Sequence, residues 1–229
     1  MKIAHRVCML EISNENGRVY PVLMWDDDNA VLIDAGYPGQ IDAIDRAIAD
    51  AGQRAGALTD IILTHQDIDH IGCVRDLLKR APDARVIAHV QEAPYIDGTK
   101  TPVKLAALIN QGDNLPAAQK AWREMLKTGF ENRRVRINQT VSDGEVLPVC
   151  GGIEVVHTPG HTPGHICLFL RASGIMVCGD ALNIAGGHIA GPNPQYTQDM
   201  ALGLSSLEKI RAYHPTAVVS YHCGYLKLE

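Results

Sequence analysis

The chain reads Thr64-His65-Gln66-Asp67-Ile68-Asp69-His70-Ile71-Gly72 at the point that decides its fold. Four potential metal ligands fall within six residues of this stretch, and they are His65, Asp67, Asp69 and His70. An apolar run precedes the stretch at 61–63 and a helix-like run follows it at 74–79, which predicts a strand, a short loop and a helix. Carboxylates and neutral imidazoles held on so short a backbone suit a divalent cation. The alternative is a polar turn with incidental histidines.

Length and composition exclude several classes of protein. The 229 residues predict a single domain, 1–229, with enough apolar surface to fold without disulfides. The net charge of −5 and the absence of a long basic run argue against nucleic acid as a partner and favour a small-molecule substrate. No apolar segment approaches membrane-spanning length, so no membrane partner is expected. Six cysteines without a CxxC pair, and Glu11 interrupting the apolar N-terminal stretch, predict a reduced, cytoplasmic protein.

Short apolar runs bounded by turn residues predict strands in both halves of the chain. These runs are 19–25, 30–34, 60–63, 85–89, 134–137, 153–157, 165–170, 175–178 and 216–220. Helical periodicity is expected over 40–51, 74–80 and 199–213. Two β-rich halves, each with outer helices, predict an α/β protein built as a four-layer αββα sandwich.

Residues 91–130 contain no strand-like run and predict a helical insertion between the two halves. Asn114 is the expected N-cap of its main helix, Trp122 belongs to an apolar stripe, and Gly129 is the expected stop. The insertion is either a lid that shapes the substrate pocket or a structural decoration.

Further ligand candidates follow predicted strands in the second half. His161 lies in Thr158-Pro159-Gly160-His161-Thr162-Pro163-Gly164-His165, a loop that two Pro-Gly pairs make rigid. Asp180 follows the run 175–178, and His222 follows the last predicted strand. Strand ends on one edge of a sandwich converge on one cleft. With the first four candidates these residues supply seven ligands, which suits two metal ions bridged by one carboxylate.

These motifs together resemble the metallo-β-lactamase superfamily of hydrolases. The family's usual HxHxDH loop is similar to 65–70, its third-strand loop to 158–165, and its bridging aspartate to Cys178-Gly179-Asp180. The last family histidine corresponds to His222, and Leu32-Ile33-Asp34-Ala35-Gly36 is similar to the family's N-terminal strand end. The resemblance covers nearly the whole chain apart from the insertion.

The resemblance implies a division of the ligands between two ions. The first ion would take His65, Asp67 and His161, the second would take Asp69, His70 and His222, and Asp180 would bridge them. Asp67 stands where the family has histidine. Zinc is the expected metal, and because aspartate is a harder ligand than histidine, iron and manganese are alternatives that the site could accept if Asp67 ligates. The other interpretation is that Asp67 does not ligate and the first ion is poorly held.

The resemblance also implies an activity, namely attack of a metal-bound hydroxide on a small ester, lactone or thioester. The implied catalytic residue is Asp69, which orients the hydroxide and carries a proton. Apart from the resemblance, Tyr196 is a second catalytic candidate, because its hydroxyl could donate a hydrogen bond to the developing oxyanion. His188 is a further candidate in the loop expected to border the cleft, and Tyr221 is a second donor candidate. Two alternatives remain: a diiron redox protein of flavodiiron type, and a metal-binding protein without turnover.

Overall fold

The computed structural model describes residues 1–14, 17–112 and 114–228. Its strands are β1 (Lys2–Ala4), β2 (Val7–Met9), β3 (Ile12–Asn14), β4 (Gly17–Val19), β5 (Val22–Trp25), β6 (Ala30–Ile33), β7 (Asp60–Leu63), β8 (Arg85–His89), β9 (Gln139–Val141), β10 (Val146–Leu147), β11 (Ile153–His157), β12 (Ile166–Leu170), β13 (Ile175–Val177), β14 (Asn183–Ala185), β15 (His188–Ala190), β16 (Ala217–Ser220) and β17 (Gly224–Lys227). Its α-helices are α1 (Ile41–Asp50), α2 (Ile68–Ile71), α3 (Val74–Arg80), α4 (Ala93–Ile96), α5 (Val103–Asn110), α6 (Ala117–Arg133) and α7 (Met200–Ala212).

Two sheets form the centre of the molecule. The first has the strand order β1-β2-β5-β6-β7-β8-β9, and the second has the order β10-β11-β12-β13-β16-β17. Strands β6, β7, β8 and β9 run parallel to one another, and β13 runs parallel to β16, whereas the other pairs within these two sheets are antiparallel. Parallel strands end at the same edge of a sheet, so the segments that follow β6, β7 and β8 emerge side by side.

Three apolar clusters hold the layers together. Alternate residues of a strand point to opposite faces, so Ile62 of β7 faces the second sheet, whereas Ile61 packs under the helices outside the first sheet. In the same way Val155 of β11 lies between the sheets and Val156 packs beneath α7. The four-layer αββα sandwich expected from the sequence is therefore confirmed.

The segment between β8 and β9 is helical, and its helices α4, α5 and α6 join the apolar cluster on the outer face of the first sheet. The expected stop at Gly129 is wrong, because α6 continues through it to Arg133. At Gly129 a Cβ would lie 3.5 Å from the Ile68 side chain, which is an ordinary van der Waals contact, so α6 packs on α2 here without needing a glycine. Asn114 is not the N-cap either, because α6 begins after Pro116.

Two strand predictions are also wrong in position. The predicted strand at 134–137 is an irregular connection, and the pairing with β8 starts only after Asn138, which exchanges hydrogen bonds with the backbone of Val86. The predicted strand at 19–25 is divided into β4 and β5 at Tyr20-Pro21, because proline offers no N–H to a ladder. Among the described residues, no helix is both long and apolar enough to cross a membrane.

Candidate metal centre

The seven predicted ligands come together where strands of both sheets end. They form two neighbouring groups, with His65, Asp67, His161 and Asp180 in the first ligand group and Asp69, His70 and His222 in the second. Within each group the ligand atoms lie within 4.8 Å of one another. The residues come from four segments, which follow β7, β11, β13 and β16.

Asp180 contacts both groups. Its Oδ2 lies 3.5 Å from His161 Nε2 in the first group and 3.4 Å from His222 Nε2 in the second. Its Oδ1 lies 3.5 Å from His70 Nε2. Because Oδ2 lies close to ligand atoms of both groups, this carboxylate is placed where it could serve both as a shared ligand.

The spacing of the donor atoms suits metal ions. Asp67 Oδ2 lies 3.2 Å from His65 Nε2 and 2.9 Å from His161 Nε2, and Asp69 Oδ2 lies 3.2 Å from His222 Nε2. Zinc–ligand bonds of about 2.0–2.1 Å in a tetrahedron place neighbouring ligand atoms roughly 3.3 Å apart.

Several of these donor atoms lack a hydrogen-bond partner. In the part of the chain that the structure describes, His65 Nε2, His70 Nε2 and Asp180 Oδ1 are buried and have no partner in hydrogen-bond geometry, although imidazole and carboxylate atoms lie 3.2 Å and 3.5 Å apart. Buried polar atoms are rarely left in this state. Burial also lowers the pKa of His65 to about 4, so its imidazole is neutral at pH 7 and has a lone pair to offer. The residues present therefore fit divalent ions.

Hydrogen bonds on the side away from the metal centre orient His65 and His70. Asp34 Oδ2 lies 2.9 Å from His70 Nδ1 and accepts the Thr64 hydroxyl at 2.9 Å. Thr64 Oγ1 in turn lies 3.1 Å from His65 Nδ1. Both imidazoles thus engage Nδ1 away from the site and direct Nε2 into it, as ligating histidines commonly do.

His165 supports the site without reaching it. Its Nε2 accepts the backbone N–H of Asp180 at 3.1 Å, and its Nδ1 lies 2.9 Å from Thr158 Oγ1. Burial holds the pKa of His165 well below its usual range, so the ring stays neutral and accepts this bond. The histidine therefore positions the backbone from which the Asp180 carboxylate extends.

A glycine allows the loop that carries His161 to approach α7. Gly160 has φ 137°, and a Cβ there would lie 2.4 Å from the backbone N of Gly203. Ser206 of α7 also donates a hydrogen bond to Pro159 O at 2.7 Å. These contacts hold the loop against a rigid helix.

Lys104 of α5 enters the first ligand group, although the sequence analysis does not identify it. Its ammonium forms an ion pair with Asp67 and lies 3.2 Å from His161 Nε2. Burial acts to raise the pKa of Asp67, but Lys104 and His65 outweigh it and hold that pKa well below its usual range. Asp67 is therefore a carboxylate in a buried position, neutralised by a lysine.

Glu92 joins the two ligand loops, 65–70 and 158–165, to each other. The sequence analysis does not identify this residue either. This fully buried carboxylate accepts the backbone N–H of Gln66 at 2.9 Å, the Gln66 amide at 2.8 Å and the backbone N–H of Gly164 at 2.7 Å. Gln66 Oε1 accepts the N–H of Val103 at the start of α5. One buried network therefore links both ligand loops and the helix that carries Lys104.

A cavity of about 470 Å³ opens over the ligands. The ligands form its floor, and α2 and α6 supply an apolar wall, which consists of Ile68, Trp122, Met125, Leu126 and Phe130. The insertion therefore shapes the pocket rather than only decorating the fold. Tyr37 also lines the cavity, which the sequence analysis does not anticipate.

The remaining catalytic and pocket candidates of the sequence analysis are Tyr196, Tyr221 and His188, and they lie in different positions. Tyr196 lines the cavity, and its ring lies 5.5 Å from Lys104 Nζ. Tyr221 is buried, and its hydroxyl donates to Asp69 O at 2.7 Å and accepts the Gly36 N–H at 3.0 Å, so it supports the backbone below the site. His188 is exposed on β15 and does not line this cavity.

Comparison with known proteins gives consistent results. The family model described as the metallo-beta-lactamase superfamily matches residues 15–222. A probable metallo-hydrolase of Bacillus subtilis, YflN, is 30% identical over 212 residues, which cover 84% of this chain and 74% of the relative. A hydroxyacylglutathione hydrolase of Francisella philomiragia is 26% identical over 199 residues, which cover 85% of this chain but only 61% of the relative.

Solved structures share the fold. The metallo-beta-lactamase family protein TTHA1429 from Thermus thermophilus superposes with a TM-score of 0.72 at 22% identity, over 99% of this chain and 76% of that chain. The protein TTHA1623, solved in a di-iron-bound form, gives a TM-score of 0.65 at 20% identity, over 96% of this chain and 94% of that chain.

Proposed function

Since the chain belongs to the metallo-β-lactamase superfamily and is a metal-dependent hydrolase, we propose that it binds two divalent ions and hydrolyses a small ester, lactone or thioester. The observation that carries the proposal is the position of Asp180 between two ligand groups with unpartnered donor atoms. Bound ions would lower the pKa of water from near 16 to about 7 and polarise the carbonyl of the substrate.

Asp69 is the proposed proton carrier. It lies on α2 at the floor of the cavity, and its carboxylate is 15% exposed. The carboxylate therefore faces the space in which the substrate would lie, and it can orient a water molecule and pass the proton toward the leaving group.

Two tyrosines are the proposed hydrogen-bond donors to the developing oxyanion. Tyr196 lines the cavity and is 44% exposed. Tyr37 lines the same cavity, and burial together with the nearby Asp69 and Asp180 raises its pKa, so its phenol stays protonated at neutral pH. A protonated hydroxyl donates a hydrogen bond where negative charge develops.

The cavity favours a small substrate with an apolar part. Its volume of about 470 Å³ falls within the usual range for small-molecule sites, roughly 300–1,000 Å³. One side consists of charged ligands and the other of aromatic and aliphatic side chains from α6. An ester, lactone or thioester with an aliphatic or aromatic acyl group would lie with its carbonyl over the ligands and its acyl group against α6.

Asp67 gives a specific reason to retain a second candidate function. Its carboxylate supplies an oxygen atom where the family usually has a histidine nitrogen, and iron accepts such a ligand set. A diiron site that reduces oxygen or nitric oxide is therefore the alternative to zinc-dependent hydrolysis. Bound iron together with consumption of oxygen by the reduced protein would favour it.

The test combines metal analysis with a substrate panel. Purified protein is analysed for metal content and assayed on aryl esters, lactones and thioesters, before and after removal of metal with a chelator. We expect about two zinc ions per chain, activity that is lost on chelation and restored by zinc, and no activity in Asp180→Asn. The control Asp83→Asn changes an exposed aspartate and should keep full activity. Full activity in metal-free Asp180→Asn would refute the mechanism.

A further inference from the structure

Among the described residues, an ammonium group contacts ligand atoms of the first ligand group, whereas none forms an ion pair with Asp69 of the second group. Lys104 Nζ pairs with Asp67 and lies 3.2 Å from His161 Nε2, so it touches two of the donor atoms that would hold the first ion. In the described part of the chain, Asp69 of the second group has histidines as its ion-pair partners and no lysine or arginine.

We propose that Lys104 competes with the first metal ion, so that the second ligand group fills before the first. This inference rests on the proposed two-ion site. An ammonium group and a divalent cation repel each other at contact distance, and they would share the same carboxylate oxygen. For the first group to bind an ion, Lys104 must give up Asp67 and His161.

The position of Lys104 makes this competition persistent. Its side chain is 20% exposed, which limits the solvation of a displaced ammonium. Its backbone is held as well, because the preceding residue, Val103, donates its N–H to Gln66 in the ligand loop at 2.7 Å. The helix that carries Lys104 is therefore tied to the loop that carries Asp67.

The first group has a second weakness. His65 and His70 each engage Nδ1 with a partner behind the site, whereas His161 Nδ1 is buried and has no partner in the described residues. A partner at this nitrogen normally orients a ligating imidazole and strengthens its bond to the metal. The imidazole of His161 is therefore less firmly oriented for metal binding than those of His65 and His70.

The ion pair between Lys104 and Asp67 also explains how the ligand loop accommodates an aspartate at position 67. Aspartate in place of the usual histidine adds one negative charge to a buried site, and Lys104 adds one positive charge beside it. The pair therefore has the net charge of the neutral histidine. Lys104 acts as a positioning residue that sets the charge of the first group and the order in which the groups bind metal.

In the test, metal-free protein is titrated with zinc alone. Binding is measured by calorimetry and, in a separate experiment, by competition with a chromogenic chelator. We expect the wild type to bind zinc in two steps whose dissociation constants differ at least tenfold. His222→Ala should remove the tight step, and His161→Ala should remove the weak one. Lys104→Met should tighten the weak step at least tenfold and leave the tight step within about threefold.

Three further variants separate charge from packing. Lys104→Arg keeps the positive charge and should retain two unequal steps. Lys104→Gln removes the charge but keeps a polar side chain, and it should tighten the weak step even if Lys104→Met folds poorly. Lys79→Met removes one positive charge from an exposed side chain of α3 and should change neither step. Two equal steps in the wild type, or a weak step that Lys104→Met does not tighten, would overturn the role of Lys104 and leave the proposed hydrolase intact. The absence of zinc binding in every variant would overturn both.

Discussion

Replacing Glu92 with glutamine tests the buried network that joins the two ligand loops. The carboxylate accepts three hydrogen bonds, two from Gln66 and one from the backbone N–H of Gly164. Glutamine has one acceptor oxygen and one NH₂ group. In either orientation of its amide, the NH₂ group faces at least one N–H donor that it cannot satisfy.

The expected cost follows from these bonds. A buried donor left without an acceptor costs about 1–3 kcal/mol, and loss of the carboxylate's charge weakens the bonds that remain. We therefore expect Glu92→Gln to lower the free energy of unfolding by about 2–4 kcal/mol. The two ligand loops would also lose their common anchor, so zinc affinity should fall roughly 10–100-fold, as is usual for residues that support metal ligands.

Urea unfolding of metal-free protein measures the stability change without the contribution of bound metal. Competition with a chelator measures zinc affinity in the folded protein. Glu145→Gln is the matched control, because this exposed glutamate accepts one hydrogen bond from Ser142 and its replacement should cost less than about 0.5 kcal/mol. If Glu92→Gln unfolds like the control and binds zinc like the wild type, the network does not hold the site.

Three other predictions concern packing, acid stability and the substrate wall. A Cβ added at Gly72 would lie 2.3 Å from Pro38 N, so Gly72→Ala should lower the free energy of unfolding by about 1–3 kcal/mol in urea, and wild-type stability would contradict this. Partial burial acts to raise the pKa of Asp26, but hydrogen bonds from Asp28, Cys150 and Asn29 bring it to about 2. Because this pKa is depressed, Asp26 should contribute about 1–2 kcal/mol above pH 4 that is lost as the pH falls toward 2, and the stability difference between wild type and Asp26→Asn should shrink accordingly. Trp122→Ala should raise KM roughly tenfold with metal content unchanged, and an unchanged KM would exclude α6 as a substrate wall.

The strands that sequence predicts best are the buried ones. The bounds of β7, β8 and β11 agree with the predicted runs 60–63, 85–89 and 153–157, because each run is apolar and turn residues border it. The strand predicted at 134–137 is wrong because the buried residue there packs against the helical insertion and is not part of a sheet. Val135 is buried, yet its backbone N–H bonds to Ile96 in the insertion rather than to a neighbouring strand.

The sequence by itself determined the fold class, the family and the seven residues that the structure gathers into two groups. It could do so because ligand types recur at short spacing and at the ends of apolar runs, which are local patterns. Tertiary structure alone decided the roles of Lys104 and Glu92. Lys104 meets Asp67 across 37 residues and His161 across 57, and Glu92 meets Gly164 across 72. Such contacts depend on how separate loops and helices pack at the sheet edge, and no local pattern encodes that packing.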